Sequence, residues 1–195
     1  MKKIILGIFT IVMLTLSGCN ALQNGLSNAY NLTNCDYKYQ SISNLTISDI
    51  NVSQGLTPLM IPRILAILSG NASSIPLNFT LNLDVNNPNA GTAAFQSLLY
   101  IISIDDIQFT SGNFSQPFHL ASGETKVLPM GISVDIMGLM KNNSRSAVEN
   151  IVKNFIGIGD KSSKVTVQLK PSFKVGEQVF ASPLYIPVNF TFGGK

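Results

Sequence analysis

The chain has 195 residues and a formal net charge of +3, a length that suits one good-sized domain. Charged residues make up 12% and apolar residues 45%, against about 25% and 45–50% in average soluble domains, and Asn, Ser and Thr supply the missing polarity. Disorder, which needs low hydrophobicity with high net charge, is excluded; so is a nucleic-acid footprint, since no Lys/Arg cluster occurs, and one His with two Cys leaves little material for metal or nucleophilic chemistry.

Met1-Lys2-Lys3 is a short basic stretch, and Ile4 to Leu16 carries no charge. That run is shorter than the roughly 20 apolar residues of a spanning helix and has the length of a signal-peptide hydrophobic region. It ends in Leu16-Ser17-Gly18-Cys19, which resembles a bacterial lipobox. The resemblance implies cleavage between Gly18 and Cys19 and acylation of the Cys19 thiol. Residues 1–18 are then a lipoprotein signal peptide. The acyl anchor on Cys19 binds the membrane, stably once two or more chains are buried at about 0.8 kcal/mol per CH₂. Asn20 stands where an Asp would favour the inner membrane, so the expected location is the outer membrane; no acidic cluster of the kind that flags surface export follows Cys19, so the protein is expected to face the periplasm. Loss of Lys2 and Lys3 lowers the formal charge from +3 to +1. Cys35 is left without a disulfide partner and is expected to be a buried, inert thiol.

Residues 19–35, Asn-rich and without periodicity, are expected to form a flexible tether of roughly 20 Å root-mean-square span. Residues 36–195 form the single domain. Tyr37 to Val52 alternates as a strand, with a break near Ser43-Asn44. Leu59 to Leu68 is apolar on nearly every face; Pro62 suits a first turn and Gly70 a terminus, so a short helix is expected there. Ile75 to Val85 alternates as Leu77, Phe79, Leu81, Leu83 and Val85 and stops at Asn86-Asn87-Pro88-Asn89. Strands over 95–104 and 107–114 flank Asp105-Asp106, a two-residue hairpin turn. Short strands follow at 118–120, 125–128 and 132–136. A second helix is expected over 146–156, with Ser146 and Glu149 at capping-box spacing and Gly157 as terminator. Strands at 165–169, 173–175 and 184–192 complete the chain. Many short strands with turn signals between them predict a β-sandwich or barrel.

The stretch from Leu45 to Phe192 resembles the late-embryogenesis-abundant type 2 domain, also called the WHy domain. The likeness is carried by the strand Leu81 to Val85 entering the Asn87-Pro88-Asn89 turn, by the strand pair after it, by Thr110-Ser111-Gly112, by the 129–136 strand leading to a helix, and by Ser182 to Pro187. The Leu59–Leu68 helix departs from the pattern. The resemblance implies an immunoglobulin- or fibronectin-like antiparallel β-sandwich with one or two short helices, and a non-enzymatic role linked to desiccation or osmotic stress. The Asn87-Pro88-Asn89 turn has a physical reading as structure: Pro88 fixes φ, while Asn87 and Asn89 bond nearby backbone.

His119 has no second His and no Cys-x-x-Cys beside it, as a zinc site or triad would need. Asp105-Asp106 reads as a turn rather than a carboxylate pair, and Glu124 with Asp135 has nothing to bring it together. Eight Asn-x-Ser/Thr sequons follow from composition alone. No catalytic residue, metal site or cofactor is expected. The expectation is a non-enzymatic, lipid-anchored envelope protein. The alternatives are a module for a lipid or other hydrophobic ligand, with the Leu59–Leu68 helix lidding a cavity, and an envelope assembly partner with an augmented edge strand.

Overall fold

The computed structural model describes residues 27–70, 72–175 and 177–194. In chain order the elements are α1 (described over 27–33), β1 (Asp36–Ile47), β2 (Ile50–Asn51), α2 (Met60–Ser69), β3 (Pro76–Asn86), β4 (Ala93–Phe95), β5 (Ser97–Ile104) and β6 (Ile107–Phe114). There follow β7 (Phe118–Leu120), β8 (Thr125–Asp135), α3 (Ile136–Asn142), α4 (Arg145–Phe155), β9 (Ser163–Val175), β10 (Gln178–Ala181) and β11 (Ile186–Phe192).

β3 shows why the molecule is layered. Leu77, Phe79, Leu81, Leu83 and Val85 are buried, while Asn78, Thr80, Asn82, Asp84 and Asn86 alternate with them on the outer face. Side chains along a strand point to opposite faces, so this segment demands a sheet with one dry face. The first sheet has the order β2-β1-β3-β8 and the second β10-β9-β5-β6, with β11 also beside β9. Every pairing is antiparallel. Phe79, Leu81 and Met130 of the first sheet meet Ile102, Ile104, Val165 and Val167 of the second in one core. At one seam Tyr39 stacks on Phe190, ring centroids 4.5 Å apart, tying β1 to β11. The result is the mainly β, antiparallel β-sandwich that the alternation predicts.

Several strands are longer than their sequence suggests. Pro129 does not divide β8, because β8 is the outer strand of its sheet and carries a ladder on one side only. Pro171 lies inside β9, where the neighbouring strand changes from β11, whose register ends at Leu169, to β10, whose register begins at Ser172. The lost donor falls in that gap. β1 absorbs the break near Ser43-Asn44 as a bulge, with Asn44 at φ 53°. β1 continues to Ile47, and after the turn at Ser48-Asp49 the residues Ile50–Asn51 form the separate strand β2.

The helices bring three corrections. The part of the expected tether that is described is not free chain: residues 27–33 are helical, Leu32 is fully buried, and the Tyr37 hydroxyl donates to the Leu32 carbonyl at 2.9 Å. One apolar residue anchored in the core overrides Asn-rich composition. α3 is an additional helix, started by Asp135, whose carboxylate accepts from Met137 N at 3.1 Å. α4 begins at Arg145 with Ser144 as N-cap and no side-chain cap bond. The Ser146–Glu149 box therefore does not form; Glu149 instead pairs with Arg145 at 3.0 Å. α2 runs one residue later than expected at both ends, closed by Gly70 N donating to Ala66 O at 2.9 Å. Only Ile64 and Leu68 of it are buried.

Candidate functional site

The expected cleavage and acylation residues, Gly18 and Cys19, lie outside the described residues, as do residues 19–26 of the expected tether. The Asn87-Pro88-Asn89 turn is fully described. Asn87 is fully buried because β3 ends against the turn preceding β8: its N–H donates to Glu124 O at 2.9 Å and its carbonyl accepts from Gly123 N at 2.8 Å. Its side-chain Nδ2 donates to Gly91 O and Ala121 O at 2.9 Å, and to Leu120 O at 3.4 Å. Its Oδ1 accepts from Asn89 N at 3.2 Å and Asn89 Nδ2 at 2.8 Å. One amide thus satisfies carbonyls from two loops, and no group of Asn87 is left over for a ligand.

Asn89 carries the network outward, since its Nδ2 also donates to Asn31 O at 3.0 Å. Asn31 Nδ2 in turn donates to Thr92 O at 2.9 Å, which docks α1 on this end of the sandwich. Sequence reading misses Asn31; its only signal is an Asn four residues before Cys35. The Cys35 Sγ donates to Asn31 O at 3.3 Å, and burial, reinforced by Asp36, pushes its thiol up to about 11. Burial likewise raises the Tyr37 phenol far above its ordinary value. Neither group is a nucleophile near neutral pH.

The other titratable candidates stay apart. His119 is exposed on β7 opposite Ala94 and lines a shallow recess with Asn28, Phe173 and Lys174. Glu124 precedes β8 and Asp135 ends it, roughly 35 Å apart along an eleven-residue strand. Burial pushes the Asp135 carboxyl upward, but Ile75 N and Met137 N, with Ser74 and Lys141, outweigh it and hold the carboxyl below its usual range. Asp105 and Asp106, at φ 48° and 65°, form the two-residue turn between β5 and β6, and Asp105 Oδ1 accepts from Lys164 N at 2.8 Å. Among the described residues, no three His, Cys, Asp or Glu side chains gather as a metal-binding group.

What the structure does bring together is a polar face on the first sheet, built mostly of amides and hydroxyls, with the charged residues Lys38 and Asp84 opposite each other on it. Asn82 Nδ2 donates to Ser41 Oγ and Ser43 Oγ at 3.0 Å. Asn78 Nδ2 donates to Thr46 Oγ1 at 3.3 Å, and Ser133 Oγ donates to Asn78 Oδ1 at 2.7 Å. Asn86 Nδ2 donates to Thr125 Oγ1 at 2.8 Å, and Asn44 Nδ2 to Thr80 Oγ1 at 3.2 Å. Cross-strand pairs of this kind fix amides and hydroxyls in a regular array across β1, β3 and β8. Part of their hydrogen-bonding capacity stays turned to solvent.

The expected lidded cavity takes another form. The space between the sheets lined by Phe79, Leu81, Ile104, Phe155, Phe190 and Phe192 holds about 10 Å³, room for one water at most. Phe155 of α4 covers it; no residue of α2 lines it.

A family model described as "Late embryogenesis abundant protein" matches residues 82–189, from within β3 to within β11. Solved structures similar to this chain include a protein from Archaeoglobus fulgidus, 12% identical over 81% of this chain and 98% of that one, TM-score 0.39. Another, from Arabidopsis thaliana, is 10% identical over 80% of this chain and 77% of its own, TM-score 0.41. A third, described as a late embryogenesis abundant protein, is 14% identical over 99% of this chain and 89% of its own, TM-score 0.39. No curated protein matches the chain.

Proposed function

The chain belongs to the late embryogenesis abundant protein family, and from that premise we propose that it is a non-enzymatic, lipid-anchored protein of the cell envelope that protects against desiccation or osmotic stress. The observation that carries this reading is the ordered array of amides and hydroxyls over β1, β3 and β8. Such a face bonds water, glycans and neutral solutes without counter-ions, so its contacts persist when drying concentrates salt and screens charge. The Met1–Cys19 pattern supports an acyl anchor at Cys19, Asn20 supports the outer membrane, and a stretch after Cys19 without an acidic cluster supports a domain facing the periplasm.

Radiolabelled palmitate should enter the wild-type chain and not Cys19→Ala; equal labelling refutes the anchor. Deletion of the protein should leave growth unchanged and lower survival after drying or osmotic shock. Equal survival of deletion strain and parent refutes the stress role. A lipid ligand between the sheets is not favoured, since a cavity of about 10 Å³ compares with roughly 300 Å³ or more for small-molecule sites.

A further inference from the structure

We infer that the end of the sandwich from which the chain leads back to Cys19 seats against the lipid surface through a patch formed by β10 and the turn after it. Val179, Phe180, Leu184 and Tyr185 there are between 43% and 68% exposed, with Val179 and Phe180 on opposite faces of the edge strand. β10 is also the outer strand of its sheet at this end. An exposed edge strand with bulky apolar side chains is an association hazard in water, and natural folds cover it. The neighbours include two lysines, Lys170 and Lys174, the second paired with Glu177 at 3.5 Å. Lys170 Nζ lies 5.3 Å from the centroid of the Tyr185 ring, Leu99 opposes Lys170 across β5–β9, and Lys174 opposes Val179 across β9–β10. Aromatic and aliphatic side chains interleaved with lysines match the membrane interface, where rings sit at headgroup level and ammonium groups reach phosphate.

The path of the chain decides the occupant. Asn28 of α1 lines one recess with Phe95, Gln96, Phe173 and Lys174, so the described chain begins at the end of β9 that pairs β10, one strand across from β10 itself. The eight residue-to-residue steps from Cys19 to Ser27 span at most roughly 28 Å. An acyl anchor therefore holds this end of the domain near the headgroups. α2 also exposes apolar groups, Leu59 at 83%. It lies at the other end, where Leu68 O accepts from Arg145 at the start of α4 and Asp135 accepts from Ile75 N. That is roughly 35 Å away along the eleven residues of β3. Apolarity alone does not choose between the two ends; the position of the chain's exit does. The choice of membrane rests on the Cys19 anchor proposed above.

The test places a nitrobenzoxadiazole label on Leu184→Cys or, separately, on Leu59→Cys in the full chain, processed in a lipoprotein-forming bacterium. The protein is reconstituted in phosphatidylethanolamine–phosphatidylglycerol vesicles containing nitroxide lipid. Cys35 is buried, and the signal from protein without an introduced cysteine is subtracted. Lipid quenching at position 184 should exceed that at 59 at least threefold. Equal quenching, stronger quenching at 59, or none at either position overturns the seating. Palmitate incorporation is followed in the same preparations. A quenched 184 label without palmitate overturns the anchor and keeps the seating; palmitate with an unquenched 184 label does the reverse.

Discussion

Replacing Asn87 by Ala should be among the most destabilising polar substitutions in the domain. Asn87 is fully buried, and its Nδ2 is the donor to the carbonyls of Gly91 and Ala121 at 2.9 Å and, more weakly, of Leu120. Truncation leaves those carbonyls without it and removes the acceptor used by Asn89 N and Nδ2. A buried group stripped of its partner costs about 1–3 kcal/mol. Gly91 and Ala121 are exposed residues that water can reach, whereas Leu120 is fully buried. Counting the two solvated carbonyls at about 1 kcal/mol each and the two Asn89 contacts at about 0.5 kcal/mol each gives about 3 kcal/mol. For a domain of this size that is a fall in Tm of roughly 6–12 °C. Urea titration and thermal melting, followed by far-ultraviolet circular dichroism, measure both quantities. Asn87→Asp keeps the shape but turns an acceptor toward three carbonyls, and it should lose more than Asn87→Ala. A loss below about 0.5 kcal/mol for Asn87→Ala, the range of ordinary surface substitutions, would refute the assignment of Asn87 as the organiser of this end.

Asp135 has a depressed folded-state pKa, so its contribution to stability is present above its unfolded value and is lost as pH falls through the folded one. Asp135→Asn should therefore melt below wild type at pH 7, with the gap closing from about pH 4 downward; a gap that does not change with pH would contradict this. In the β5–β6 turn, Asp106→Gly should raise stability by roughly 0.5–1 kcal/mol by relieving the positive φ. Asp105→Gly should show no such gain because it loses the bond to Lys164 N, and urea midpoints compare the two. Gly159 lies against the Asn154 side chain, which donates to Lys161 O and Ser163 Oγ at 2.8 and 2.7 Å. Gly159→Ala should cost roughly 1–3 kcal/mol, and the double variant with Asn154→Ala should lose less than the sum of the two singles, as a shared contact requires.

Local pattern was enough for much of the fold. The alternation from Leu77 to Val85 specifies a strand with one dry face before any partner is known, because side-chain direction depends only on the backbone of that strand. Asp105-Asp106 is equally local, since the turn needs only residues that tolerate positive φ. The expected gaps at 129–131 and 170–172, which hold Pro129 and Pro171, close for one reason: a proline interrupts a strand only if a ladder partner requires its N–H, and partners are not written in the neighbouring residues. The unformed Ser146–Glu149 box is similar. The helix begins at Arg145, and Arg145 holds both Glu149 and the Leu68 carbonyl of a helix 77 residues away.

The site shows the same division. Sequence alone placed a polar Asn-Pro-Asn turn at the end of β3 and raised the expectation of a leader over residues 1–18, because both are short contiguous motifs. It could not show that Asn87 would be fully enclosed, that Asn31 and Leu32 would dock the expected tether, or that β10 would lie at the same end of the sandwich as α1. Those facts follow from which strands become neighbours, and that is settled by burying the apolar faces of both sheets at once. Hydrophobic periodicity is local and therefore legible; the pairing that sets one end of the sandwich against another spans the whole chain and exists only in the tertiary structure.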